Sequence, residues 1–312
     1  MDNKFDISII IPFLNEAENI NFLSKELGIF VKKNASLSIE IILVNDGSTD
    51  QSVNSIINAE FPKNTKLISL SQNYGSHAAL RSGVTVAKGD FITFIYADLQ
   101  DPLDSITEMY NKALNGKDII WGYRKKVNNP YFEKKISGLY SSLMKKYVNS
   151  KYPENGFDIA LFNKKVAASL NSNIESNSSI FLQILNFGYR QDYVEYDKIE
   201  RKFGKSKWTF AKKIKLFVDS FVAFSYTPIR LVSYVGMLFF VIGIIWTFYI
   251  IGRKLIYDDL ERGWPALIAI LMVGFGITNI SLGIIAEYLW RTLDASRKRP
   301  VFIIDEIIEV GK

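Results

Sequence analysis

Two short acidic strings hold most of the chemistry this chain can offer. Asn45-Asp46-Gly47-Ser48 and Asp98-Leu99-Gln100-Asp101-Pro102 each follow an apolar run. In the second string a carboxylate and an amide oxygen stand two residues apart, so both can face one hard cation. Oxygen donors of that kind suit Mg2+ or Mn2+ at a diphosphate. The bland alternatives are a surface loop entering the Pro102 turn and, for the first string, a type I turn with Ser48 or Thr49 capping the next helix. Cysteine is absent and His77 is the single histidine. That excludes disulfides, zinc–thiolate sites, thiol nucleophiles and histidine clusters. Carboxylates, amides, lysines and arginines must carry any reaction.

The elements that position these strings alternate strand and helix. Ile7 to Ile11 is a continuous apolar run ended by Pro12, as in a buried parallel strand. Glu16 to Val31 has helical spacing, with Ile20, Leu23, Leu27 and Phe30 on one face. Further strands are expected at Ile39 to Val44, Lys66 to Leu70 and Asp90 to Tyr96, with helices through Ile57 and over His77 to Ala87. This order predicts an open parallel sheet covered by helices on both faces, with ligands at the carboxyl ends of the strands. Both acidic strings fall at such ends. His77 stands where a helix begins and reads either as a helix-start surface residue or as a substrate contact.

The chain has 312 residues, and Lys+Arg 38 against Asp+Glu 32 gives a formal net charge of +6. Hydrophobic residues make up 48% of the chain, and two stretches explain the excess: Leu231 to Ile251 and Trp264 to Ala286 contain no charged residue. About 20 apolar residues at 1.5 Å rise cross a ~30 Å hydrocarbon core, so the pair reads as a transmembrane hairpin. Aromatic residues at its ends (Tyr226, Trp246, Tyr249, Trp264, Tyr288, Trp290) resemble an interfacial belt. Lys and Arg are denser on both outer flanks than in the Gly252 to Gly263 connection, which places both termini in the cytoplasm. Ile7 to Pro12 is too short and lacks the basic start of a signal peptide. The positive charge is therefore assigned to anionic lipid, not to nucleic acid. Small surfaces at Gly236, Gly243, Gly274, Gly276 and Gly283 leave a homo-oligomer open.

Taken in order, Pro12-Phe13-Leu14-Asn15-Glu16, Val44-Asn45-Asp46-Gly47-Ser48, Asn73-Tyr74-Gly75 through Gly89-Asp90, and Ala97-Asp98-Leu99-Gln100-Asp101-Pro102 resemble the inverting GT-A glycosyltransferases. The Asp-Leu-Gln-Asp-Pro string is similar to the polyprenyl-phosphate branch, which includes dolichyl-phosphate mannose synthase and bacterial undecaprenyl-phosphate glucosyltransferases. The resemblance covers essentially the whole chain. It implies an α/β GT-A fold with a mostly parallel sheet flanked by helices, plus a C-terminal two-helix transmembrane hairpin. The implied domains are a cytoplasmic catalytic domain over 1–208, a juxtamembrane amphipathic helix over 209–228, the hairpin over 229–290 with spans at about 230–251 and 264–288, and a cytoplasmic tail over 291–312. The implied location is the bacterial inner membrane.

Carried onto this sequence, the resemblance has Pro12, Leu14, Glu16, Val44 and Asp46 line a nucleoside pocket. Ala97 and Asp98 would face ribose and diphosphate, with Asp98 and Gln100 as ligands of Mg2+ or Mn2+. Arg124 matches a nucleotide-sugar contact and Asp158 the acidic residue proposed as base, so Asp98 and Asp158 are the catalytic candidates. Arg201, Gly204, Ser206, Lys207 and Trp208 match a string that reaches the phosphates. One departure stands out: many relatives carry Asp-x-Asp-Leu-Gln, and this chain has Tyr96-Ala97-Asp98. A phenol with its ordinary pKa of ~10 is neutral at pH 7 and a poorer cation ligand than carboxylate.

The expected reaction is inverting transfer of a hexose, glucose favoured, from a nucleotide-diphosphate sugar, UDP favoured, to undecaprenyl or another polyprenyl phosphate. The product would be a lipid-linked donor for cell-envelope glycans such as O-antigen. The alternatives are a non-catalytic sugar-nucleotide-binding membrane protein and a transferase with another acceptor. Tyr131 to Val148 and Thr209 to Ser225 mix lysine with aromatics, as headgroup-layer helices or as ordinary amphipathic helices on the sheet. Lys202, Lys205, Lys212 and Lys213 serve either membrane anchoring or acceptor binding.

Overall fold

A computed structural model describes residues 5–125, 138, 141–153, 156–175, 178–199, 227–257, 263–297 and 299–311. The chain divides into two compact units, Met1–Ser220 with Pro300–Lys312, and Phe221–Arg299. The first is built on one eight-stranded sheet in the order β7-β5-β6-β4-β1-β2-β3-β8.

β1 (Phe5–Phe13), β2 (Ile39–Asn45), β3 (Thr65–Leu70) and β4 (Gly89–Phe94) pair in parallel. α1 (Ala17–Lys33), α2 (Ser52–Asn58) and α3 (Ser76–Val86) connect them, as the apolar periodicity predicts. Ile7, Ile9 and Ile11 pack with Ile20, Leu23, Leu27 and Phe30 of α1 in one buried cluster. The apolar pattern stops the first strand at Pro12, yet β1 continues to Phe13, with Pro12 opposite Val44. Pairing with β4 has already ended at Ile10, so the missing amide hydrogen leaves no ladder bond unmade on that side.

Beyond Pro102 come α4 (Asp104–Ala113), β5 (Ile119–Arg124), β6 (Ile159–Asn163), α5 (Lys164–Ser172), α6 (Ile180–Asn186) and β7 (Gln191–Tyr196). The sheet is mixed: β6 runs antiparallel to both β4 and β5, while β7 is parallel to β5. The Asn163 side chain accepts the Val166 N–H at 3.1 Å and so caps α5.

The segment expected as a tail has structure of its own. Its first residues continue the last long helix to Arg297, and β8 (Ile304–Glu309) pairs antiparallel with β3 as an edge strand. The second unit holds α7 (Thr227–Tyr257) and α8 (Trp264–Arg297). Where two spans are expected, one stretch among the described residues, Val273–Asp294 of α8, is long and apolar enough to cross a membrane, and none of it is buried. Large apolar side chains stand exposed on both helices, Phe248 at 71% and Phe275 at 70%. The stretch at 209–226 lies outside the described residues, and so does Tyr131 to Val148 except for 138 and 141–148, of which 141–147 are helical.

Candidate active site

The carboxyl edge of the sheet collects the candidate residues, and strand direction explains how. Pro12 and Val44 are register partners at the ends of β1 and β2, with Leu14, Glu16 and Asp46 in the turns that follow. Tyr96, Ala97, Asp98 and Gln100 follow β4, the other neighbour of β1. Arg124 and Tyr196 are register partners at the ends of the parallel strands β5 and β7. Because β6 is antiparallel, Asp158, just before it, lies at this same edge, where Gly122 is opposite Ile159. A residue preceding a strand reaches the carboxyl edge only through such a reversal. Arg201 and Lys207 lie outside the described residues.

Asp158 is gripped by Arg124 through two parallel hydrogen bonds, Nε to Oδ2 and Nη2 to Oδ1, each 2.5 Å. This fork geometry is the strong form of an arginine–carboxylate pair. Burial works against the Arg124 charge, but the bonds to Asp158 and the nearby Asp101 charge outweigh it and hold the guanidinium above its ordinary pKa. The Tyr196 hydroxyl donates to Asp101 Oδ1 at 2.6 Å and lies 3.4 Å from Asp158 Oδ2. Asp101, buried, is pushed up to about 6 by desolvation and then by the Asp158 charge, against the pull of Lys198 and the Tyr196 bond. Negative charge is therefore crowded here. Tyr96 sits in the same field: burial, then Asp101, Asp158 and Asp98, push its phenol well above its usual range. It is a neutral donor and supplies no anionic ligand.

The Asp98 turn is tight. The Leu99 N–H donates to the Tyr96 carbonyl at 3.0 Å, and Leu99 itself has φ +48°, a left-handed value uncommon outside glycine. The Gln100 N–H returns to Asp98 Oδ1 at 3.3 Å, and the Gln100 carbonyl accepts the Ile199 N–H at 2.8 Å. Asp98 and Gln100 thus supply hard oxygen donors, which fit Mg2+ or Mn2+. Among the described residues no group of three or more His, Cys, Asp or Glu could hold a metal ion.

The turns that follow β1 and β2 are framed by short polar links. Asn15, at φ +52°, accepts the Thr49 N–H at 2.8 Å, and its own N–H donates to Ser48 Oγ at 2.9 Å. The Glu16 N–H donates to Ser52 Oγ at 2.8 Å, while Glu16 Oε2 accepts from Asn19 Nδ2 at 2.5 Å. Asp46 is 4% exposed and spends both oxygens on the backbone N–H groups of Tyr74 and Gly75, at 2.8 to 3.2 Å. Burial pushes its carboxyl up to about 6 against those bonds. Asp46 therefore holds the loop that enters α3.

Gly47 stands at the same junction with φ +72°, and a Cβ there would meet Asn73 N at 2.6 Å and the Gln72 carbonyl carbon at 2.7 Å. Gly47→Ala combines left-handed strain with a backbone clash, and is expected to cost about 2–3 kcal/mol. Urea denaturation of the detergent-solubilised protein measures it; an unchanged midpoint would contradict the close approach.

His77 departs from the surface expectation. It is the second residue of α3, its ring meets Phe181 edge-on at 6.1 Å, and both ring nitrogens are buried with no hydrogen-bond partner among the described residues. Desolvation, then the Arg81 charge, lowers its pKa to about 4, so it is a neutral, half-buried side chain with its ring nitrogens covered. Periodicity gave no role to Asp101 or Tyr196. Asp101 carries a signal as part of the Asp-Leu-Gln-Asp-Pro string, whereas nothing in the local sequence marks Tyr196.

Residues 8–170 match the family described as Glycosyl transferase family 2. The chain is 31% identical to the "Prophage bactoprenol glucosyl transferase homolog" of Escherichia coli (strain K12), over 96% of this chain and 99% of that one. It is 29% identical to the "Undecaprenyl-phosphate 4-deoxy-4-formamido-L-arabinose transferase" of Photorhabdus laumondii, over 98% and 95%. Among solved structures, glucosyl-3-phosphoglycerate synthase from Mycobacterium tuberculosis in complex with Mn2+, uridine diphosphate and phosphoglyceric acid aligns at TM-score 0.50 and 17% identity. That alignment covers 69% of this chain and 77% of that one and supports the GT-A fold.

Proposed function

Since the chain belongs to glycosyl transferase family 2, we propose that it moves a sugar from a nucleotide-diphosphate donor to the phosphate of a polyprenyl lipid. The observation that carries this reading is the gathering of Asp98, Arg124 and Asp158 at one edge of the sheet, in a chain that aligns from end to end with transferases named for bactoprenol and undecaprenyl phosphate. A hexose, glucose first, and a UDP donor are our preferred substrates. The two relatives name different sugars at similar identity, so the donor must be found by trial.

The acceptor phosphate oxygen attacks the anomeric carbon while the bond from that carbon to the diphosphate breaks, which inverts the configuration. A phosphate monoester has its second pKa near ~6 and is mostly dianionic at pH 7, so little proton needs removing. Asp158 then acts chiefly by orienting the acceptor. Arg124 would contact the nucleotide-sugar donor, the role that its sequence context implies. Asp98 and Gln100 would hold a divalent cation, which when bound supplies positive charge against the departing diphosphate.

The membrane reading rests on topology as well as composition. β8 is hydrogen-bonded to β3, so the chain between them leaves and returns to one side, and any membrane crossings are even in number. With the Val273–Asp294 stretch as one span, we take α7 as the second, and the denser Lys and Arg on the outer flanks are the reason for putting the catalytic unit and both termini on the cytoplasmic side. The exposed apolar side chains of both helices favour burial in lipid over water.

Purified protein in detergent, given labelled UDP-glucose, undecaprenyl phosphate and Mn2+, should yield labelled lipid. Chelation of the metal, or Asp98→Asn, is expected to lower the yield about 100-fold or more. A panel of other nucleotide sugars follows if glucose fails. Binding without transfer across the whole panel would overturn the proposal, and label in another acceptor would redirect it.

A further inference from the structure

We infer that Tyr196 is a positioning residue for Asp158, a hydrogen-bond donor held on Asp101 until Arg124 turns to the donor substrate. This rests on the proposed transfer reaction for its purpose, though not for its geometry.

Asp158 has two described partners. Arg124 takes both oxygens, and the Tyr196 hydroxyl stands 3.4 Å from Oδ2. In the role given to it above, Arg124 engages the nucleotide-sugar donor, and a guanidinium so engaged gives up at least part of its fork on Asp158. A carboxylate on a loop, stripped of its clamp, loses the fixed orientation that an attacking phosphate needs. Tyr196 is placed to replace the lost bond. It is 6% exposed, so its ring is fixed by packing. Gly122 leaves room for it: a Cβ at 122 would come within 3.2 Å of the Tyr196 ring.

The phenol has one proton and two carboxylate neighbours. In this structure the proton goes to Asp101 at 2.6 Å, which is 2% exposed. Rotation about the Tyr196 C–O bond redirects it to Asp158, needing only a small closing movement across the 3.4 Å gap. Ring, strand and sheet stay in place, and no bond is made or broken.

Tyr196→Phe keeps the ring and removes this donor. Its kcat should fall about 10–100-fold, the worth of a hydrogen bond to a charged group, while the KM for the sugar donor stays within about twofold. In an Asp158→Asn background the same change should add no further loss. Unchanged kcat, or losses that multiply, would overturn the inference. A second arm needs no substrate. With Arg124→Met in place of the clamp, Tyr196→Phe should lower Tm by at least about 3 °C more than it does in the parent protein. That excess should vanish once Asp158→Asn is added. Equal losses in both backgrounds would sink the idea even if turnover fell. A parent protein that transfers no sugar counts against the proposed reaction alone, and the thermal arm still decides the role of Tyr196.

Discussion

Asp158→Asn is expected to lower turnover about 100-fold or more, with little change in donor KM. The substitution keeps the size of the side chain and removes its charge. An amide cannot accept two guanidinium hydrogen bonds, because one of its two ends is itself a donor. Arg124, gripped at 2.5 Å on both sides in the parent protein, would lose half its fork and the Asp158 charge that offsets its own at the carboxyl edge of β5. The Arg124 charge favours the anionic donor, so donor binding should hold or tighten while the chemical step slows. A loss confined to kcat is the signature of an interaction used only in the transition state. Steady-state rates at several donor concentrations, with thermal melting to verify folding, make the measurement. Near-normal turnover would remove Asp158 from the mechanism.

Glu40→Ala is expected to be the most damaging single change to the fold. Glu40 is fully buried. Its carboxylate accepts from Ser8 Oγ at 2.6 Å, from the Lys88 N–H at 2.9 Å and from Lys66 Nζ at 3.0 Å, which ties four strands together at the sheet's amino edge. Truncation strands a mostly buried ammonium and two further donors, a loss of about 3–5 kcal/mol. Against a total stability of about 5–15 kcal/mol that is a large share, and the expected fall in Tm is about 10 °C. Lys66 has a second carboxylate, Glu309 of β8, but at 3.9 Å and 68% exposure. Glu309→Ala should therefore change stability by less than about 0.5 kcal/mol. Because Glu40 is at the opposite edge from Asp98 and Asp158, molecules of Glu40→Ala that remain folded should keep normal turnover. A melting curve matching the parent's would contradict the buried network.

Legibility followed burial. β1 and β2 lie inside the sheet and are buried along nearly their whole length, so their sequences read as mainly apolar runs, interrupted at Ser8 and Glu40, which bond to each other. β7 and β8, at the two sheet edges, read QDYVEY and IDEIIE, mixtures that no single period assigns. An edge strand buries one face and one flank, and half its positions are free to be polar. For the same reason the last dozen residues look like a charged tail, although Ile304–Glu309 completes the sheet. His77 shows the reverse error: a polar residue beside a helix start predicts solvent, and packing against Phe181 decided otherwise.

The sequence by itself determined which groups are available for chemistry, which runs must be buried and where the acidic turns fall, because composition and hydropathy are local properties of the chain. It also brought the family within reach, through strings that are short and ordered. Only the tertiary structure decided that Asp158 meets Arg124, that Tyr196 stands behind both, and that Asp46 is spent on a loop. Those pairings span 28 to 38 residues of chain. They depend on strand direction and register, above all the reversal at β6, and no local pattern encodes which way a strand will run when it joins a sheet.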